Sequence, residues 1–420
     1  MDKIPQTTQY FKFSAYGFLK NLRFFDVFFI LFLNETGINY LQIGFLYSIR
    51  QIVTNLFEIP SGIIADVFGR KNSLLFALGA YIVSFLIFYF SGNYYYFIIA
   101  MILYGLGEAF RSGTHKAIIL NYLKKQNLLS IKTRYYGGTR SWSQFGSAIS
   151  SLIAMAIVLI NHNYRDLFIF TSIPYIINLI NIASYPGDAF RKNKEEKTSG
   201  VLKAAWNGIL ENLKEYIKIF RFVDNFRAFF SAAAYIAVFK TLKDYLQPIL
   251  ESIAISLPVL MGTHTDQRTA IMIGAAYFLI FTLTSVASRN AWRFEDKSSN
   301  IAGAINMVYL TGILSIGISG LFLWLGYNGI AALVFIILYL IQNIRRPLMV
   351  GYLSDLISGD VMASGLSTES QLETLLIIIY APVFGWFVDS HGLAFALGVT
   401  CLVFLLLFPL VKIRSIQSTK

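Results

Sequence analysis

Apolar residues fall in long runs, without the period-two alternation of a half-buried strand, and twelve runs are long enough to cross a bilayer as helices. They cover roughly 11–33, 40–64, 72–91, 95–122, 135–160, 167–186, 225–250, 269–290, 300–325, 329–352, 364–388 and 391–411. Connections are short except for 187–224, where Arg191, Lys192, Lys194, Glu195, Glu196 and Lys197 precede a helical pattern. In it Leu202, Trp206, Ile209, Leu210, Leu213, Ile217 and Phe220 share one stripe, with Lys203, Glu211, Lys214, Glu215 and Lys218 on other faces. This is the pattern of an amphipathic helix lying on a membrane. The expected fold is an all-α polytopic membrane protein with 12 transmembrane helices in two pseudo-symmetric six-helix halves. The boundaries are 1–186 for the N-terminal half, 187–224 for the linker, 225–412 for the C-terminal half and 413–420 for the tail.

Composition agrees: 56% of the 420 residues are hydrophobic and only 14% charged, against about 25% charged in soluble domains. The first ten residues are polar and no small-residue cleavage pattern follows the first run, so the first span is expected to be retained. The net charge of +12 comes from basic residues in alternate loops. Lys3, Lys12, Arg70, Lys71, Lys124, Lys125, Lys132, Arg134, the linker, Arg289, Arg293, Lys297, Lys412, Arg414 and Lys420 fall on one side. The other side carries mostly Glu35, Arg165, Asp166, Glu251, Asp266, Arg268 and Asp389. The positive-inside rule then places both termini and the linker in the cytoplasm. Basic residues spread over six segments do not make a nucleic-acid surface. One cysteine, Cys401, and four scattered histidines give no disulfide framework and no metal cluster.

Charges within the spans recur every third helix. Span 1 holds Lys20, Arg23 and Asp26; span 4 holds Glu108, Arg111, His115 and Lys116; span 7 holds Arg227, Lys240, Lys243 and Asp244; span 10 holds Arg345 and Arg346. Spans 3, 6, 9 and 12 hold none. A charge at the bilayer centre costs at least about 2.5 kcal/mol, so it faces a polar cavity or a partner. The pattern predicts four three-helix units, the first helix of each lining a central cavity.

Between spans 2 and 3 lies a charged, glycine-punctuated, turn-like stretch, Gly62-x-x-Ala65-Asp66-x-x-Gly69-Arg70-Lys71. With the twelve spans, the six-plus-six split and the long linker, it resembles the signature loop of the major facilitator superfamily. Glu58-Ile59-Pro60-Ser61-Gly62, the Gly105–Thr114 stretch, Gln247-Pro248, Arg346-Pro347 and Pro382-x-x-Gly385-x-x-x-Asp389 resemble a bacterial subgroup of drug-efflux-like and uncharacterised permeases. The resemblance implies two halves that expose a central site alternately to each side. It also implies a cytoplasmic latch in which Asp66 meets the start of span 11, near Ser364, Ser367 and Ser370. Gly62 and Gly69 would allow close approach, Arg70 would be the charge partner, and Lys71 belongs to the same latch. The chain departs from the family in its degenerate 8–9 loop, Ser288–Lys297, in lacking the early helix-4 arginine, and in lacking the helix-5 Gly-Pro signature of drug antiporters.

Candidate substrate and proton-pathway residues are Arg23, Asp26, Arg50, Glu108, Arg111, Lys240, Asp244 and Arg346. Arg23 and Asp26 share a face at i,i+3; Glu108, Arg111 and His115 form a stripe; Lys240 and Asp244 are spaced for an i,i+4 pair. At mid-depth a carboxyl that holds a proton is cheaper than a charged one, which makes Glu108 the first proton-carrier candidate. Arginine neutralisation of Glu108 is the competing reading. Glu58, beside the latch, and Glu369 and Glu373, able to face Arg346, are candidate gate residues. The expected function is secondary active transport of a small molecule across the cytoplasmic membrane, with proton-coupled export as the leading form. Uptake of an anionic metabolite and a transporter-like receptor or lipid-moving protein are the alternatives. The expected partners are the substrate, protons and membrane lipids, in a monomer. No cofactor, metal, nucleic acid or enzymatic chemistry is expected, since no nucleophile–base set or nucleotide loop is present.

Overall fold

The computed structural model describes residues 5–128, 131–186, 226–256, 264–289, 301–356 and 362–413, with scattered residues of 200–214. Among them there is no strand, and each of the twelve apolar runs is helical. In order these are α1 (Thr8–Lys20), α2 (Phe29–Glu35), α3 (Tyr40–Phe68), α4 (Arg70–Phe90), α5 (Tyr94–Arg111), α6 (Thr114–Lys125), α7 (Lys132–Asn161) and α8 (Asp166–Ala183). They continue as α9 (Phe226–Leu242), α10 (Leu246–Ser256), α11 (Thr265–Arg289), α12 (Ile301–Trp324), α13 (Asn328–Leu356), α14 (Met362–His391), α15 (Leu393–Leu406) and α16 (Phe408–Val411). Seven stretches, within α4, α7, α8 and α11 to α14, are uninterrupted and apolar enough to cross a bilayer. Large apolar side chains stand exposed on them, among them Phe90 at 75%, Met307 at 72% and Trp324 at 77%. A helix dissolved in lipid has no reason to hide such groups.

Spans 1, 4 and 7 are interrupted, which their hydropathy does not reveal. Span 1 stops at Lys20: the Asn21 side chain donates to the Gly17 carbonyl at 2.7 Å, and Asn21 and Leu22 bond back three residues instead of four. A 3₁₀ turn over Phe24–Phe28 follows before α2. Span 7 breaks at the corresponding place, with a 3₁₀ turn over Lys243–Tyr245 between α9 and α10. Pro248 lacks the N–H that a continuous helix would direct at the Asp244 carbonyl. Span 4 breaks at Ser112-Gly113, with Gly113 at φ 68°.

The chain packs as two units, Met1–Asp26 with Ile49–Lys214, and Val27–Ser48 with Glu215–Lys420. In the first, α1 packs on α7 and α8, and α4 on α5 and α8. Glycines permit the closest of these approaches: a Cβ on Gly146 of α7 would sit 2.6 Å from the Phe18 carbonyl oxygen of α1. Of the linker helix, Leu202, Ile209, Leu213, Ile217 and Phe220 lie outside the described residues. Gly208 is buried, with Ile59 and Ile63 of α3 beside it, while Trp206 is exposed.

In the second unit α9 packs on α14, and α12 on α13 and α15. Segment 27–48 joins it through specific contacts. Gly44 lies against the Ala381 carbonyl and Pro382, and Gly385 against the Tyr40 carbonyl. Asp389 accepts the Tyr40 and Leu41 amides, at 3.0 and 2.8 Å, which satisfies two otherwise orphaned N–H groups at the start of α3. Gln247 does the same for α2, accepting the Ile30 amide at 2.9 Å. Asp389→Ala is expected to cost about 1 kcal/mol, as loss of a cap does. Gly385→Ala should lower the melting temperature further, because its Cβ meets rigid backbone. Thermal unfolding in detergent checks both, and an unchanged Gly385→Ala protein would refute the packing.

Candidate functional site

The charges of span 1 gather where its helix stops. Tyr175 of α8 donates to the Lys20 carbonyl at 2.9 Å, satisfying one orphaned acceptor of the last α1 turn. Beyond the break, Arg23 Nε lies 2.9 Å from Asp26 Oδ2, its Nη1 donates to the Tyr104 hydroxyl at 2.5 Å, and the same nitrogen lies 3.9 Å from Glu108 Oε1. The other Glu108 oxygen pairs with Arg111, whose Nε donates to the Tyr81 hydroxyl at 3.1 Å. Arg50 of α3 stands over the Tyr104 ring, 5.8 Å from its centroid. Gly105 makes this possible, because α5 approaches the Arg50 carbonyl to where a Cβ would sit 2.8 Å away. The structure therefore brings Arg23, Asp26, Arg50, Glu108 and Arg111 into one tyrosine-lined cluster. Lys20 lies within electrostatic range of Arg23, Glu108 and Arg111. Cations outnumber carboxylates in the cluster, and Glu108 serves two arginines at once.

His115 lies past the Ser112-Gly113 break and leaves the stripe. Its ring stacks on Tyr16 at 3.8 Å between centroids, and Nε2 lies 3.3 Å from the Tyr185 hydroxyl. This is a packing role.

In the second unit the expected Lys240–Asp244 pair is not formed. The 3₁₀ turn at 243–245 removes the i,i+4 register. Lys240 pairs with Glu373 of α14 instead. Asp244 takes Lys243 at 2.6 Å and the Tyr47 hydroxyl at 2.9 Å. Arg346 is exposed, with Glu369 in its electrostatic range. The buried residue is its neighbour Arg345, 1% exposed, which the sequence pattern does not single out as a site. Its Nη2 donates to the Ser231 carbonyl at 2.9 Å and lies 3.0 Å from the Ser231 hydroxyl oxygen. The guanidinium stands 4.7 Å from the Tyr235 ring centroid and 5.6 Å from that of Tyr309. The one signal in the sequence is the Arg345-Arg346 doublet: adjacent helical residues point about 100° apart, so one has to turn inward.

The stretch 62–71 is less of a turn than expected. Nothing in Ile63-Ile64-Ala65-Asp66-Val67-Phe68 breaks a helix, so α3 runs to Phe68, and only Gly69, at φ 95°, separates it from α4. Gly62 is exposed, and among the described residues nothing comes within 4 Å of where its Cβ would be, so its expected close approach is not seen. The same holds for Gly69, whose role is its backbone angle. Asp66 pairs with Arg70 at 3.0 Å. Lys71 Nζ donates to the Ala183 and Tyr185 carbonyls at 2.6 and 2.8 Å, capping the C-terminal end of α8. Glu58 is exposed, while Ser61 reaches the Ala109 carbonyl at 2.9 Å and ties α3 to α5. The side chains of Ser364 and Ser367 and the 290–300 loop lie outside the described residues.

A helical chain with lipid-ready surfaces and charges gathered at broken spans has the character of a membrane carrier. The family model of the Major Facilitator Superfamily matches residues 21–368, and the chain belongs to that superfamily. It is 24% identical, over 98% of its length and 96% of the relative's, to an "Uncharacterized MFS-type transporter YxaM" of Bacillus subtilis (strain 168). Among solved structures it is similar to the nucleoside transporter NupG, at TM-score 0.73 and 12% identity over 97% of this chain and 100% of that one. It is also similar to the D-xylose-proton symporter, at TM-score 0.67 and 14% identity over 96% of each chain. The protein is a multi-pass secondary transporter and not an enzyme.

The sharing of Glu108 fixes an order of stability. Glu108→Gln leaves Arg111 without its countercharge beside Arg23, which keeps Asp26, whereas Arg111→Gln leaves Glu108 with Arg23. The first should cost about 3–5 kcal/mol, the second clearly less, and the double variant should recover part of the loss. Thermal unfolding of the three purified variants measures this, and equal losses would contradict the geometry.

Proposed function

We propose that this transporter works by alternating access in the cytoplasmic membrane, as a monomer with both termini in the cytoplasm, and couples substrate movement to protons at Glu108. The supporting observation is the shared carboxylate. Glu108 pairs with Arg111 and stands 3.9 Å from Arg23, which also holds Asp26 at 2.9 Å. A proton on Glu108 frees Arg111 and loosens the hold on Arg23, which keeps Asp26, and loss of that proton draws both back. Protonation and occupancy of the arginines by substrate are then linked through one group, the minimum that coupling requires. Asp66 with Arg70 and Lys71, and Glu369 with Arg346, are proposed to act in the cytoplasmic latch and gate.

Export remains the leading direction, resting on the resemblance to drug-efflux-like permeases. The excess of cations over carboxylates around Tyr104 favours the second reading, uptake of an anionic metabolite with protons. Proteoliposomes with an imposed pH gradient and a trapped pH-sensitive dye would test both. Nucleosides, peptides, sugars, organic acids and amphipathic cations are added in turn. A translocated substrate should move protons in the wild type. Glu108→Gln should lose gradient-driven flux and keep substrate counterflow, which also shows that it is folded. Undiminished gradient-driven flux in Glu108→Gln would reject the coupling site.

A further inference from the structure

The two broken spans share a motif. Phe18-Leu19-Lys20-Asn21-Leu22-Arg23 and Val238-Phe239-Lys240-Thr241-Leu242-Lys243 each place Lys-x-Leu before a second cation, and each lies at the point where the helix gives way to a 3₁₀ turn. The partner helices correspond as well: α1 packs on α7 as α9 packs on α14. The difference lies in what meets the lysine. In the second unit α14 presents Glu373 to Lys240. In the first, α7 places the cation Arg140 in the electrostatic neighbourhood of Lys20. Among the described residues no carboxylate comes within ion-pair distance of Lys20, and no hydrogen bond reaches its ammonium. Asp26 and Glu108, the carboxylates of the cluster, are taken by Arg23 and Arg111.

An ammonium at this depth without a counterion costs several kcal/mol. The repeat shows how the fold satisfies that lysine when the carboxylate belongs to the protein. We infer that in the first unit the substrate supplies it: Lys20 is a specificity-determining residue that pairs with the carboxylate or phosphate of a small organic anion. The ammonium makes the ion pair, and Arg50 and Arg111 add to the positive field. The Tyr81 and Tyr104 hydroxyls hold Arg111 and Arg23 beside it. This rests on the reading that the first-unit cluster receives substrate. It does not require that Glu108 carry the proton.

The test is ligand-induced thermal shift and equilibrium binding on the full-length protein in detergent. The probes are succinate and glucose 6-phosphate as carboxylate and phosphate anions, uridine and xylose as neutral compounds, and tetraphenylphosphonium as a cation. At least one anion should stabilise the wild type and Lys20→Arg. Lys20→Met should weaken that binding about tenfold or more, as loss of one charge-assisted contact does. Arg140→Glu, which turns the cation in the neighbourhood of Lys20 into an anion that competes with the bound one, should weaken it as well. Stabilisation by neutral or cationic probes alone, no shift with either anion, or anion binding within about twofold of wild type in Lys20→Met would each overturn the inference. Should Lys20→Met fail to fold, Lys20→Cys in a Cys401→Ser background gives a second reading. A negatively charged methanethiosulfonate should modify it faster than a positively charged one, and equal or reversed rates would overturn the assignment. Failure of proton coupling in Glu108→Gln liposomes leaves these binding outcomes unaffected, so the two readings fail separately.

Discussion

The interaction on which the rest depends is the countercharge of cations held in a low-dielectric interior. At about 4 Å and an effective dielectric near 20, two unit charges interact by about 4 kcal/mol, more than most single packing contacts contribute. Each unit meets this demand differently. The second assigns carboxylates one to one, Glu373 to Lys240 and Asp244 to Lys243, and leaves Arg345 to a serine and two tyrosine faces. The first has fewer carboxylates than cations, so Glu108 is shared and tyrosine hydroxyls carry part of the load. A shared countercharge is less stable than a dedicated one and easier to reassign, which is the property a transport site needs.

The helix breaks follow from the same demand. A charged side chain on an uninterrupted span can reach only what its face of the helix meets. Ending α1 at Lys20 and restarting it as α2 lets Arg23 and Asp26 pair across a 3₁₀ turn, and exposes backbone groups that neighbours then satisfy. Tyr175 takes the Lys20 carbonyl and Gln247 the Ile30 amide. Irregular backbone at membrane depth is tolerable only where protein groups or a polar cavity replace the lost bonds. Gln247 and Asp389, which the sequence offers as parts of subgroup-like motifs without a physical role, are explained by that requirement.

What was legible in the sequence was local or cumulative. Twelve apolar runs summed to a bundle, and the short-range pairs Arg23–Asp26, Glu108–Arg111 and Asp66–Arg70 formed because spacing of three or four residues suffices to bring them together. What was not legible depended on partners far along the chain. The Lys240–Glu373 pair, the Lys71 cap on α8 and the burial of Arg345 are set by which helices pack together. The Lys240–Asp244 expectation failed for a mixed reason. Its spacing was right for a helix, but Pro248 four residues on denies the backbone bond that a helix needs there.

The internal repeat carries more weight than either half alone. A lone lysine in a broken span has many explanations. Two lysines at the same point of the same motif, on corresponding helices, narrow them, because the fold applies the same geometry twice. The second copy holds a carboxylate against its lysine, while the first has Arg140 in the electrostatic neighbourhood of Lys20, so the two environments differ in charge. Retaining a cation at one copy while withholding its internal partner would be costly if the site were never filled. It follows that the first-unit cluster is best understood as half of an ion pair, with the other half arriving from solution.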